Sequence, residues 1–164
     1  AFASLAFGYF FYWTIHEDFT GGLTGPGLFW PIWAAGLFVA AWLVMMAARW
    51  TNDRDQRGLT RLLLLLSFIL TLAGTGAGLM GPYSFGMEPT VHVYPAIVWV
   101  LVIWTSVHAL VALIMQLYCL ARSFAGRLTG TYDQDLHNVV LYWHFMLFTA
   151  VVTFVTIGLF PSLR

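Results

Sequence analysis

The sequence predicts an all-α integral membrane bundle of five transmembrane helices, and three observations carry that expectation. Hydrophobic residues make up 60% of the chain and charged residues only 9%, with a mean hydropathy of +0.81. Apolar runs recur at the length a bilayer demands, since a hydrocarbon core about 30 Å thick takes roughly 20 helical residues at about 1.5 Å each. Six of the seven basic residues fall in two links, Arg49, Arg54, Arg57 and Arg61 in one and Arg122 and Arg127 in the other. Cytoplasmic loops collect Lys and Arg, so both links belong on one side. Open sheet edges and irregular backbone cannot face lipid, which leaves helices as the solution.

The first run, residues 1–15, is several residues short of a span. It starts at Ala1 with no methionine and no basic stretch before it, so it reads as a cut helix rather than a signal peptide, with upstream residues expected. Its aromatic series Phe7, Tyr9, Phe10, Phe11, Tyr12 and Trp13 reads as a lipid or subunit contact, because aromatics at helical spacing supply packing area. Thr20 to Gly27, with four glycines and Pro26, cannot sustain a helix and predicts a turn. The second span covers 28–48, with Trp30 and Trp33 near one end and Arg49 and Trp50 at the other as interfacial anchors.

The third span, 59–80, contains Gly74-Thr75-Gly76-Ala77-Gly78. A phosphate loop would end in Lys-Ser/Thr and would not sit in an apolar span, so Gly74, Gly78 and Gly81 read instead as a small-residue face for close helix packing. Gly81 to Gly86 predicts a second turn. The fourth span, 91–120, is long enough to tilt or protrude, and the fifth covers 138–160. There is no internal repeat, and residues 1–164 form a single membrane domain.

Orientation follows from the arginines. The opposite loops hold Glu17, Asp18 and Glu88 with no basic residue, which predicts a cytoplasmic start and a periplasmic or external C-terminus, with Arg164 the exception. A net charge of zero points away from nucleic acid. Cys119 is the lone cysteine, so neither a disulfide nor a thiolate metal cluster can form within the chain. The acids Glu17, Asp18, Asp53, Asp55, Glu88, Asp133 and Asp135 all fall in predicted loops, so no mid-membrane carboxylate supports a proton relay. His16, His92 and His137 lie near helix ends. His108 and His144 lie within spans, where two imidazoles from different helices can clamp a haem iron or can serve as satisfied structural groups. By depth they match poorly, His108 falling near mid-membrane and His144 about two turns from the basic end. Hydroxyls, Gln116, Asn138 and indole donors complete the buried polar set, which suits joining helices or holding a lipid head group.

In the last two spans Tyr94, His108, Cys119, Arg122 and the run Tyr142-Trp143-His144-Phe145 follow in order, with 36 positions from His108 to His144. This pattern resembles subunit III of the haem-copper respiratory oxidases. The likeness covers the last two spans; over the first three it is architectural, the five spans and inside start agreeing with the shorter bacterial form. Three positions depart from the family's pattern: Thr105 stands where many members have a second histidine, His137 replaces an acid, and Leu147 replaces an aspartate. A further family glutamate would lie upstream of Ala1, so an acid-dependent proton role is not carried over.

The resemblance implies a non-catalytic accessory subunit of a hetero-oligomeric complex in a bacterial inner membrane, beside oxidase subunits I and II. Haems and copper would sit in the catalytic partner, with no cofactor in this chain and with phospholipid bound. Such a subunit stabilises the catalytic one, holds lipid in a cleft, and assists proton or oxygen delivery. The lipid or structural candidates are Tyr94, His108, Arg122, Tyr142, Trp143 and His144. Arg122 would face an anionic phosphate, Tyr142 or Trp143 an acyl chain, and His144 a neighbouring helix. The missing start fits either the subunit III portion of a fused subunit I and III chain or part of a longer subunit. The alternatives are a membrane di-haem electron carrier and a subunit III-like component of a nitric oxide reductase.

Overall fold

The structure, a computed structural model, describes residues 1–131 and 133–163, without the Ser162 side chain; Arg164, the basic residue apart from the two links, lies outside the described residues. Its elements are α1 (Phe2–Ile15), α2 (Phe29–Asn52), α3 (Arg57–Ser84), α4 (Val93–Phe124), α5 (Gln134–Leu159) and a closing 3-10 turn, Phe160–Leu163. Helices α2 to α5 are long and apolar enough to cross a membrane. The fold is an all-α membrane bundle. Helix α1 has 14 residues, about 21 Å of rise, and falls short of a crossing.

Each long helix runs past at least one end that hydropathy predicted, α2 and α4 at the C-terminal end, α5 at the N-terminal end and α3 at both. An apolar window marks hydrocarbon, whereas backbone hydrogen bonding continues into the interfacial layer until a residue stops it. Helix α2 therefore carries Arg49 and Trp50 in its last turns. Helix α3 continues through Gly81, Pro82, Tyr83 and Ser84, where the sequence predicts a turn. The stop falls at Gly86, which takes φ +59° while its N–H bonds to the Tyr83 carbonyl at 3.1 Å and the Met87 N–H reaches the Pro82 carbonyl at 3.0 Å. That paired left-handed cap favours a residue without a Cβ. Gly126 ends α4 in the same way. At the end of α2 the left-handed position is held by Asp55, φ +53°, whose carboxylate also accepts the Gly130 N–H at 3.2 Å and so ties the two arginine-bearing links together.

Helices α2, α3, α4 and α5 pack as a ring, each against the next, with α5 closing on α2. Phe38, Met45, Leu64, Leu101, Trp143 and Met146 fill its centre. The small-residue face of α3 turns inward. A Cβ at Gly74 would lie 3.4 Å from the Phe38 ring, and one at Gly78 only 2.5 Å from Phe154 Cζ. The two glycines thus leave room for Phe38 of α2 and Phe154 of α5 to stack at 6.0 Å with rings 14° apart.

Helix α1 lies outside the ring, packed against α4 and touching the second half of α5 through Phe2 and Tyr9. Phe2 meets Phe148, and Phe10 and Trp13 meet Phe160. The predicted aromatic contact surface is split: Tyr9 is fully buried against Phe19, while Phe7 and Phe11 stack on each other and remain exposed.

Candidate functional site

Within the ring, buried polar side chains are spent on joining helices. Ser67 of α3 donates to the Ala41 carbonyl of α2 at 3.0 Å and accepts from Gln116 Nε2 of α4 at 2.9 Å. Thr71 donates to the Ser67 carbonyl at 2.7 Å, and the hydroxyls of Thr105 and Thr153 lie 3.2 Å apart across α4 and α5. All five side chains are buried. Each donor removed from lipid needs a partner within the protein, and this network supplies one.

The aromatic and histidine cluster forms a second seam, between α4 and α5. His108 Nδ1 lies 2.8 Å from the Trp104 carbonyl one turn back, and its ring packs between Trp104 at 4.5 Å and Phe145 at 5.5 Å. Tyr142 donates its hydroxyl to the His108 carbonyl at 3.1 Å. Spacing along α5 decides the rest. At about 100° per residue, Tyr142 and Phe145 share the α4 side, Trp143 turns into the ring, and His144 falls on another flank. Trp143 is fully buried and its indole N–H has no partner among the described residues. His144 is exposed and bonds instead to Trp42 of α2, whose indole donates to its Nδ1 at 3.0 Å.

The structure thus places His108 with Tyr142, and directs His144 to a different helix. The two imidazoles do not form a facing pair. Among the described residues no group of three or more His, Cys, Asp or Glu side chains is placed to hold a metal.

Arg122 and Tyr94 lie near opposite ends of α4, 28 positions and roughly 42 Å apart. Arg122 pairs with Asp135 in the first turn of α5 and also donates to the Tyr118 hydroxyl at 3.4 Å and the Arg127 carbonyl at 3.3 Å. Its side chain is 31% exposed, so an anion can still approach, in competition with a carboxylate already in place. Tyr94 is fully buried against Phe19 at 4.8 Å, and its hydroxyl has no partner among the described residues. Gly25 makes that burial possible, since a Cβ there would stand 2.6 Å from the Tyr94 oxygen.

Sequence reasoning missed Trp42 and the acid opposite Arg122. Asp135 stood only among the loop acids, although an acid in a helix's first turn is favoured by the helix dipole. Trp42 lies 102 positions from His144, and nothing local distinguishes it from the other tryptophans. No protein-family model matches the chain, and no curated protein matches it.

Proposed function

We propose that this chain is a non-catalytic accessory subunit of a respiratory complex in a bacterial inner membrane, similar to subunit III of the haem-copper oxidases. Its two arginine-bearing links face the cytoplasm and its C-terminus lies outside. It stabilises a catalytic subunit and holds phospholipid, while haems and copper reside in subunits I and II.

The observation that supports this most is the use to which the Tyr142-Trp143-His144-Phe145 segment is put. Tyr142 donates to the His108 carbonyl of α4, His144 Nδ1 accepts from Trp42 of α2, and His108 Nδ1 faces the Trp104 carbonyl of its own helix. Groups occupied in this way favour a scaffold over an electron carrier. The placement of every acid in a loop or at a helix end favours a passive role over an internal proton path.

The test is to purify the intact complex through a tag on this chain and measure its metals and visible spectrum. Copper with two haems in co-purifying subunits is the expected result. Non-haem iron in place of copper would transfer the chain to a nitric oxide reductase. A Soret band that stays with the separated chain would replace the scaffold by a di-haem carrier.

A further inference from the structure

The hydrogen bond between Trp42 and His144 sits on the outside of the ring. An indole nitrogen has only a proton to give, so at 3.0 Å it donates to Nδ1. The imidazole's own proton is then on Nε2. His144 is exposed, and its Nε2–H has no acceptor among the described residues. Depth removes lipid head groups from consideration. His144 lies six residues, roughly 9 Å, beyond Asn138, and Trp42 seven residues, roughly 10 Å, from Arg49. Hydrocarbon at that level offers nothing to accept a hydrogen bond.

The same seam continues toward the other end as an apolar groove of about 370 Å³, lined by Ile32, Ala35, Gly36 and Val39 of α2 and by Val151 and Gly158 of α5 among others. Helical spacing joins the groove to the imidazole: Val39 leads in one turn to Leu43, beside Trp42, and Val151 leads in two turns back to His144. At Gly36 a Cβ would meet nothing within 4 Å, so another backbone can come close there.

We infer that this strip of α2 and α5 is the docking face for one membrane-spanning helix of a second polypeptide. That helix fills the groove beside Gly36 with its side chains and offers His144 Nε2–H an acceptor within the hydrocarbon, a hydroxyl, an amide oxygen or a carbonyl freed by proline. Trp42 holds the imidazole in the tautomer that can donate. An acyl chain would fill the groove but leave the donor unmet. The inference deepens the accessory role by naming its contact face, and it rests on that reading only for the partner's identity.

The test uses the intact complex, purified through the tagged chain, with the amount of partner polypeptide retained as readout. Gly36→Leu fills the groove, and Gly76→Leu adds the same bulk where α3 is equally open, a Cβ there also meeting nothing within 4 Å. Retention should fall more than tenfold for Gly36→Leu and stay unchanged for Gly76→Leu. His144→Leu should lower retention about threefold, the worth of an average interhelical hydrogen bond in a membrane, and His144→Gln, which can both accept from Trp42 and donate outward, should restore it. Full retention in Gly36→Leu, equal loss in both glycine variants, or recovery of only lipid or further copies of this chain overturns the inference. A partner that depends on Gly36 and His144 yet carries neither haem nor copper leaves the docking face standing and ends the oxidase reading instead.

Discussion

Gly78→Ala tests the packing of the ring most directly. The added methyl would stand 2.5 Å from Phe154 Cζ and 2.8 Å from Cε1, about 1 Å inside ordinary carbon contact distance. Phe154 has little room to retreat, because it is 3% exposed and stacked on Phe38, which is itself fully buried. Inserting a methyl into such a core costs about 1–3 kcal/mol. Alanine also suits a helix better than glycine by about 0.5–1 kcal/mol, which partly offsets the clash. Gly76→Ala isolates the packing cost, because its Cβ meets nothing within 4 Å and it collects the helical gain alone. The two variants should therefore differ by about 1–3 kcal/mol, with Gly78→Ala the less stable. Reversible unfolding in mixed detergent and dodecyl sulfate micelles, followed by far-ultraviolet circular dichroism, measures the difference. Equal stabilities would refute the inward orientation of the glycine face.

Ser67→Ala should destabilise the bundle more than Gln116→Leu, although it deletes fewer atoms. Loss of the Ser67 hydroxyl breaks the links to Ala41 and Gln116 together and strands a buried amide donor, at about 1–3 kcal/mol, whereas Gln116→Leu removes the donor itself at roughly 0.6 kcal/mol. The reverse order in the same unfolding assay would count against the network. If Arg122 takes a lipid phosphate in competition with Asp135, Arg122→Ala should lower the phospholipid that co-purifies with the complex and Asp135→Asn should raise it. Phosphorus analysis reads both, and unchanged content in the two variants would reject the lipid role.

Much of the architecture was legible before any coordinates because hydrophobicity acts on each residue separately. Composition alone requires a lipid solvent, run length sets where helices cross it, and the spacing of Gly74 and Gly78 announces close packing. The ends of helices were less legible, since a cap is a backbone hydrogen-bond event that an apolar window averages away. Gly81 to Ser84 had the composition of a turn yet remain helical, and the chain turns only where Gly86 permits the left-handed cap.

What the tertiary structure alone decided is which polar group meets which. On paper His108 and His144 were both imidazoles within spans, told apart by depth alone. The rotation of α5 about its axis separates them, giving the His108 carbonyl to Tyr142 and sending His144 to a tryptophan 102 positions away. Arg122 likewise meets Asp135 across the α4–α5 turn. Burial in a membrane is a property of single residues and can be summed along a chain, but a hydrogen bond or an ion pair belongs to two, and the register that brings them together exists only once the helices have packed.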